Sequence, residues 1–463
     1  MSERVVSERP QVTIIGAGLA GCLLAILLAR RGLEVAVYER RVDPRTVGAE
    51  RGRSINLAIS ARGLDALERV GLKEQCLGRA LPMHGRRIHA GGDDSAFRSY
   101  SADGTRAINS IDRSEFNHAL LDSAERSAGV TLHFSYALTG IDTAGGQLTF
   151  EVDGADVEVR APVVLATDGA YSAVRKAVQF REGFDHNQKF LEHGYKELTI
   201  PAAAGEFALD PDALHIWPRG SDMMIALPNL DRSFTCTLFW DKDRFAALDT
   251  PELVAAHFAQ EYADVAARMP TLLEDFGRNP VGSLVTIRCW PWVLADEGST
   301  VALVGDAAHA IVPFFGQGAN CAFEDCLEID QCLDETNDDW PAALQLYQRR
   351  RKPNADAIAD MALDNFIEMK DRVGSRVFRM RSALQHALER RLGDRYVSRY
   401  EMVSFTTTPY AAIAARLHRQ NVALAGAAVG AAAVVLAVGT AVRRSTGRPG
   451  RRATRSRIAH GRH

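Results

Sequence analysis

The chain lacks any C-x-x-C pair and any tight cluster of cysteine with histidine. Its seven cysteines (Cys22, Cys76, Cys236, Cys289, Cys321, Cys326 and Cys332) are scattered over 463 residues. Without clustered ligands no metal is expected, and an odd, unpatterned cysteine set excludes a disulfide scaffold and fits a reducing compartment. Met1 to Pro10 is not expected to be a signal peptide: it mixes arginine with glutamate, and the apolar run that follows meets a glycine turn instead of a cleavage site. There is no basic stripe through the body. The formal charge is −3, yet residues 443–463 hold eight arginines and no acid, which leaves −11 on residues 1–442 and argues against nucleic acid as a partner. No internal repeat is visible, and neither a Ser/His/Asp set nor a pair of carboxylates stands out as side-chain catalytic machinery.

What is present is a globular composition, 46% hydrophobic and 24% charged, in a chain too long for one ordinary core. Residues 12–15 (VTII) predict a short strand. G-A-G-L-A-G follows, then the apolar helix CLLAILLARRG and a second strand, LEVAVYE. Two parallel strands joined by a helix imply an α/β, doubly wound domain. Gly16, Gly18 and Gly21 form G-x-G-x-x-G at the strand-to-helix turn, where the first allows the turn, the second admits a pyrophosphate and the third lets helix pack on strand. Glu39, about twenty residues on, ends the second strand, where a carboxylate accepts from ribose hydroxyls and disfavours a 2′-phosphate.

Farther along, 1–180 reads as the dinucleotide domain, with a β-meander inserted near 130–160, and 181–294 as an antiparallel-sheet domain built on MMIALP, SFTCTLFW and VGSLVTIRCW. LHIWPRG and LPNLDRS read as turns between those strands. Residues 295–345 return to the first domain, 346–418 form a helical region, 420–442 are a candidate membrane helix, and 443–463 an Arg-rich tail. The 420–442 segment has the length to cross a bilayer and basic flanks on both sides. Gly426 and Gly430 form a G-x-x-x-G that would let two such helices pack, so membrane association and a homodimer are both expectations.

Two further strand ends carry an aspartate beside glycine: Ala166-Thr167-Asp168-Gly169 and Leu303-Val304-Gly305-Asp306-Ala307-Ala308-His309. Taken singly, either aspartate reads as a turn or helix cap. Together with the glycine turn they resemble the D-G and G-D motifs of FAD-dependent aromatic-ring hydroxylases. That family has a Rossmann-like FAD-binding domain, an antiparallel substrate sheet and a C-terminal helical region. Gly52–Ala58 (GRSINLA), Leu214–Gly220 (LHIWPRG), Val312–Asn320 (VPFFGQGAN), Asn365–Met369 and Tyr400–Phe405 narrow the likeness to its kynurenine-hydroxylating branch.

The resemblance implies FAD as cofactor and NADPH as reductant, with O2 adding to the flavin as a C4a-hydroperoxide that oxygenates the ring carbon beside an aniline amine. It implies no catalytic side chain. Arg86, within HGRRIH, is matched to a substrate-carboxylate arginine, with Arg87 expected on the other strand face. Tyr100, Asn365 and Tyr400 are implied as its polar companions, and Met223, Ile225, Leu227, Phe239, Pro313 and Phe314 as the aromatic pocket. For each of those apolar residues ordinary core packing is an equal alternative. Cofactor contacts are implied at Gly16, Gly18, Leu19, Gly21, Glu39, Arg40, Ala58, Arg113, Leu138, Asp168, Gly169, Asp306, Gly318, Ala319 and Asn320. His309 is read as structural. The chain departs from the family's pattern at Ala319, often Met, and at Ser99-Tyr100-Ser101. A phenol hydroxylase of the same fold, a flavin-binding membrane adaptor and an NAD-dependent dehydrogenase are the rival readings.

Overall fold

The structure is a computed structural model that describes residues 11–47, 56–90, 95–101, 103–371, 397–426 and 438. Residues through Ile413 make one compact unit and Ala414–His463 a second.

The first unit is built on two large sheets. In the first, strands run in the order Val293–Ala295, Thr300–Leu303, Val163–Ala166, Val12–Ile15, Val35–Glu39 and Val130–Phe134, all parallel except the Val293–Ala295 edge. The four central strands are buried at every residue, as a parallel sheet covered on both faces requires. Registers pair Ile15 with Tyr38 and with Ala166, and Ala166 with Leu303. The carboxyl ends of four strands therefore lie side by side, and the segments leaving them carry Gly16, Glu39, Asp168 and Asp306. The expected meander is a three-stranded antiparallel sheet, Ala137–Asp142, Gln147–Val152 and Ala155–Arg160.

The second large sheet has seven strands in the order Gly282–Trp290, Asp185–Ile200, Phe234–Asp241, Asp222–Pro228, Ala213–Arg219, Gly85–His89 and Ser95–Ser99. Two of them come from residues 85–99, inside the segment read as dinucleotide domain, and this is how Arg86 reaches the substrate sheet. One expectation fails here. LHIWPRG is a strand, not a turn: Pro218 falls opposite Met223, one pair short of the hairpin at Gly220, where a missing N–H disrupts little of the ladder. Between the strands, Lys242–Ala247, Pro251–Glu261, Ala263–Ala266 and Leu272–Arg278 are helices.

Those helices explain the sheet's two-faced pattern. Trp217, Met224, Ala226, Leu238 and Trp240 point under the helices and pack with Phe258, Tyr262 and Phe276. The alternate residues Met223, Ile225, Leu227 and Phe239 turn to the opposite face. Trp217 and Trp240 are wholly buried, and truncating such a side chain to alanine costs about 3–5 kcal/mol. One face thus holds the sheet rigid while the other is left to line a site.

The same alternation splits Gly85–His89. His89 Nε2 lies 2.9 Å from His215 Nδ1, His215 Nε2 lies 2.9 Å from the Asp210 carbonyl, and Trp217 stacks on His89. Burial lowers both imidazoles from 6.5 to about 4. Because the unfolded chain binds protons that the folded chain refuses, the stability these neutral imidazoles contribute is complete above pH 6.5 and is lost as pH falls toward 4. We predict that the urea midpoint drops between about pH 7 and 5 and that His215→Gln flattens the drop; an equally steep drop in the variant would contradict the assignment.

Candidate active site

The glycine turn is assembled from both sides. Thr167 Oγ1 donates to the carbonyls of Ile15 at 3.0 Å and Gly16 at 2.8 Å, tying the turn to the D-G segment. Gly16 has φ +102°, a conformation that disfavours any side chain. A Cβ on Gly21 would collide with the Gly16 carbonyl oxygen, whereas one on Gly18 would meet nothing within 4 Å. Gly18 caps the Leu19–Arg30 helix without a side-chain acceptor, so no side chain satisfies the first-turn N–H groups. Gly318, which opens the Gly318–Glu335 helix, also faces open space. Gly305 (φ +61°) brings the two helix starts together, since a Cβ there would lie 3.0 Å from Ala322 and 3.9 Å from Ala20.

Asp306 follows Gly305 and is exposed on the floor of this cleft. Although the residue is solvent-accessible, its carboxyl is crowded by protein atoms, and that desolvation raises it above the usual range, opposed first by the Arg113 charge. Arg113 starts the Arg113–Glu125 helix and is itself exposed. Asp168 behaves as a helix cap: its Oδ2 accepts from Ala173 N at 2.7 Å and Val174 N at 3.2 Å, while Oδ1 is buried with no partner. Arg175 joins the two motifs by donating to the carbonyls of Ala170 and Ala307. Gly169 (φ +79°) makes the turn between Asp168 and its helix.

Glu39 is buried and well engaged: Oε2 accepts from Ala17 N at 3.0 Å, and Oε1 from Arg41 N and Nε. Burial pushes its carboxyl up, but Arg41 and the two backbone donors outweigh that and hold it low. Arg40 is exposed. Leu138 packs against the main core two residues beyond Tyr136, whose N–H donates to the Glu39 carbonyl. Asn320 is fully buried; its Oδ1 accepts from Ser60 N and its Nδ2 donates to the carbonyls of Ala58 and Gly316. It therefore staples the Leu57–Ile59 strand to the Gly318 helix start, leaving only backbone N–H groups at 318–320 for a ligand. Residues 52–55 of the GRSINLA motif lie outside the described residues.

Across from this cleft is a second cluster. The Arg86 guanidinium carbon lies 3.9 Å from the Tyr400 ring centroid and 5.7 Å from that of Tyr100, and the two tyrosines stack at 5.2 Å. Burial works against the Arg86 charge, and Tyr400 and Tyr100 favour it. Arg86 Nε and the Tyr100 hydroxyl are shut off from solvent and have no hydrogen-bond partner. Arg87 faces the other way, donating to Asp210 at 2.6 Å beside Phe97. Ala58, Ile225 and Leu227 pack with Tyr100 and Tyr400 in one apolar cluster. Phe239, opposite Met223, lies 5.1 Å from Phe314, which stacks on Phe366 at 4.4 Å. Asn365 Nδ2 donates to the Phe314 carbonyl at 2.7 Å, bracing the 3-10 turn Pro313–Phe315. The residues named from the sequence thus fall in two groups, one at the carboxyl ends of the parallel strands with the glycine turn, the other around Arg86, Ile225, Leu227 and Phe239.

A family model described as an FAD binding domain matches residues 9–362. The chain is 46% identical over 410 residues to kynurenine 3-monooxygenase of Myxococcus xanthus, covering 87% of this chain and 88% of that protein. It is 42% identical over 455 residues to that of Salinispora tropica, covering 97% and 99%. The chain belongs to the kynurenine 3-monooxygenase family. Solved structures share the fold at lower identity. They include 2-methyl-3-hydroxypyridine-5-carboxylic acid oxygenase (TM-score 0.64, 20% identical, 80% of this chain and 95% of that one) and PqsL of Pseudomonas aeruginosa (TM-score 0.63, 23% identical, 79% and 98%).

Sequence reasoning missed the residues that brace this family's site here: Thr167, Arg175, Arg62, Asp325 and Arg351. Thr167 lies inside the D-G segment but its hydroxyl was not read, and the others carry no motif because they act through contacts between separate elements. His309, Cys321 and Asp325 place ligand atoms within 4.8 Å of one another, but a cation is already there. Arg351 donates to Asp325 Oδ1 at 2.6 Å and to Cys321 Sγ at 3.3 Å. All seven cysteines are free and buried, and burial pushes thiols such as Cys22 and Cys289 up to about 12, too high for nucleophilic work.

The two glycines separate packing from ligand room. Gly18→Ala is expected to leave the melting temperature of the flavin-free protein within about 2 °C of wild type while weakening FAD binding about tenfold or more, whereas Gly21→Ala lowers both. Calorimetry and flavin titration check this, and unimpaired flavin binding by Gly18→Ala would contradict it.

Proposed function

We propose that the protein is an FAD- and NADPH-dependent monooxygenase that converts L-kynurenine to 3-hydroxy-L-kynurenine. The observation that carries the reading is the Arg86 guanidinium, packed against the stacked Tyr400 and Tyr100 with Nε and the Tyr100 hydroxyl unanswered, beside an apolar cluster. A planar α-carboxylate satisfies both donors at once. The aromatic ring then lies along Ile225, Leu227, Met223, Phe239, Pro313 and Phe314.

FAD fits the cleft. Its pyrophosphate would sit on the N–H groups of Leu19 to Gly21, where the helix dipole favours an anion. Asp306 would accept from the polyol chain, and the N–H groups of Gly318, Ala319 and Asn320, near Ala58, would hold the ring system. Glu39 has one lone-pair position left on Oε2 for a ribose hydroxyl. Leu138, Arg40, Arg113, Asp168 and Gly169 are the further positions that the family resemblance assigns to the cofactor. When bound and reduced by NADPH, FAD supplies the oxygen-activating chemistry that no side chain here offers.

The chain's own residues do the rest. Arg86 and Tyr100 fix one end of the substrate, Tyr400 covers the guanidinium, and Asn365 holds Phe314 in the wall. Burial pushes the Tyr100 phenol far up, so it stays a neutral donor at physiological pH. The apolar wall excludes water, which limits waste of reductant, and orients the ring so that one carbon beside the aniline amine is presented.

Purified enzyme given NADPH, O2 and L-kynurenine is expected to yield a product heavier by one oxygen atom; NADPH consumption without such a product would overturn the reading. Arg86→Met is expected to raise KM for kynurenine about 10- to 100-fold, as loss of a charged hydrogen-bonding partner does, while Arg87→Met changes it less than about threefold. Equal effects would place the carboxylate elsewhere.

We further propose that residues 420–442 attach the protein to a membrane, supported by their apolar run and basic flanks. Among the described residues no helix is long and apolar enough to cross a membrane, and 427–437 and 439–442 lie outside them. Deleting 420–463 is expected to move the enzyme from membrane pellet to supernatant, and unchanged partitioning would refute the attachment.

A further inference from the structure

Arg62 is 0% exposed, an uncommon state for an arginine, and no step of the reaction uses it. It lies on the Ala61–Arg69 helix, just past the Ala58 strand that borders both the cleft and the pocket. Its contacts reach the far end of the chain. Nε donates to the Val403 carbonyl at 3.2 Å, Nη2 to the Thr408 carbonyl and Nη1 to Glu324 Oε1, while Tyr410 lies under the guanidinium at 3.9 Å.

Val403 lies one helical turn beyond Tyr400 in the helix Arg399–Phe405. Its carbonyl belongs to the last turn, where no backbone N–H remains to meet it, and a guanidinium there both hydrogen-bonds the orphan carbonyl and opposes the negative helix end. Thr406 Oγ1 meets the Met402 carbonyl in the same way at 2.7 Å. Arg62 is also the end of a buried chain of charges. Glu324 Oε2 accepts from Arg351 at 3.2 Å, Arg351 donates to Asp325 Oδ1 at 2.6 Å, and Asp325 Oδ2 takes Gly305 N at 3.0 Å and His309 Nε2 at 2.6 Å. Burial would raise the Asp325 carboxyl, but His309 and Arg351 overcome it and hold it low. One end of this relay holds the backbone beside Asp306 in the cofactor cleft, and the other holds the helix that covers Arg86.

We infer that Arg62 is a positioning residue for substrate: it pins the Arg399–Phe405 helix so that Tyr400 stays stacked against Arg86, and it joins closure of the aromatic pocket to the cofactor cleft through Glu324, Arg351 and Asp325. The inference rests on the reading of Arg86 and Tyr400 as the carboxylate end of the substrate site. Removing Arg62 leaves Glu324 paired with Arg351, so no buried acid is stranded and the fold is expected to survive.

The test is a mutant cycle on the full-length, FAD-loaded enzyme: wild type, Arg62→Gln, Tyr400→Ala and the double variant, with kcat, KM for L-kynurenine, product formed per NADPH and hydrogen exchange at 397–410. Arg62→Gln is expected to keep its flavin spectrum, raise KM about tenfold with kcat changed less than about threefold, lower the product formed per NADPH, and speed exchange at 399–408. In the Tyr400→Ala background the same substitution is expected to change KM less than about twofold, because its route of action is already gone. Multiplicative KM effects, or unchanged exchange at 399–408, would overturn the inference. Should Arg62→Gln not fold, Arg62→Lys keeps the charge but cannot reach all three acceptors, and the same directions at about threefold amplitude are expected, with no change counting against it. If wild type fails to hydroxylate kynurenine, the functional reading falls, while the exchange measurement still decides whether Arg62 pins the helix.

Discussion

A guanidinium whose Nε meets neither solvent nor an acceptor is the constraint around which the pocket is organised. Arg86 carries a permanent charge, and the groups nearest it are the faces of Tyr100 and Tyr400, not a carboxylate. Cation–π contacts of this kind offset part of the desolvation cost, about 1–2 kcal/mol, and leave Nε unmet. An anionic ligand removes the remaining deficit. The apolar wall beyond it then has a defined orientation to impose, because one end of any bound molecule is already fixed.

The two sheets divide the labour. The parallel sheet lines up four carboxyl ends, so the glycine turn, Glu39, Asp168 and Asp306 share one edge and a single extended cofactor can touch all of them. The antiparallel sheet buries its tryptophan-rich face under helices and turns Met223, Ile225, Leu227 and Phe239 toward the pocket. Gly85–His89 is the shared element: it leaves the first domain's segment, pairs with Ala213–Arg219 in parallel, and sends Arg86 to one face and Arg87 to the other.

Legibility in the sequence follows locality. The glycine turn, the strand-end aspartates and the period-two alternation that separates Arg86 from Arg87 act within a few residues, and those readings match the architecture. LHIWPRG read as a turn because proline and glycine sit together there, but pairing across the hairpin decides its conformation. The helices between 242 and 278 were hidden among strand-rich neighbours, and Asp168 carries a capping role alongside any role toward the cofactor. Arg62, Asp325 and Arg351 were invisible for a different reason: Arg62 meets Glu324 and Val403 hundreds of residues away, and Asp325 and Arg351 act between separate elements at separations that match no motif.

The central claim is that Arg86 and Tyr100 are completed by the substrate's carboxylate. The most direct test compares binding of L-kynurenine with that of its decarboxylated amine to FAD-loaded wild type and Arg86→Met by calorimetry. The account predicts that wild type binds kynurenine about 10- to 100-fold more tightly than the amine and that Arg86→Met erases the difference. Equal affinity of wild type for the two compounds, or a preference that survives in Arg86→Met, would contradict it.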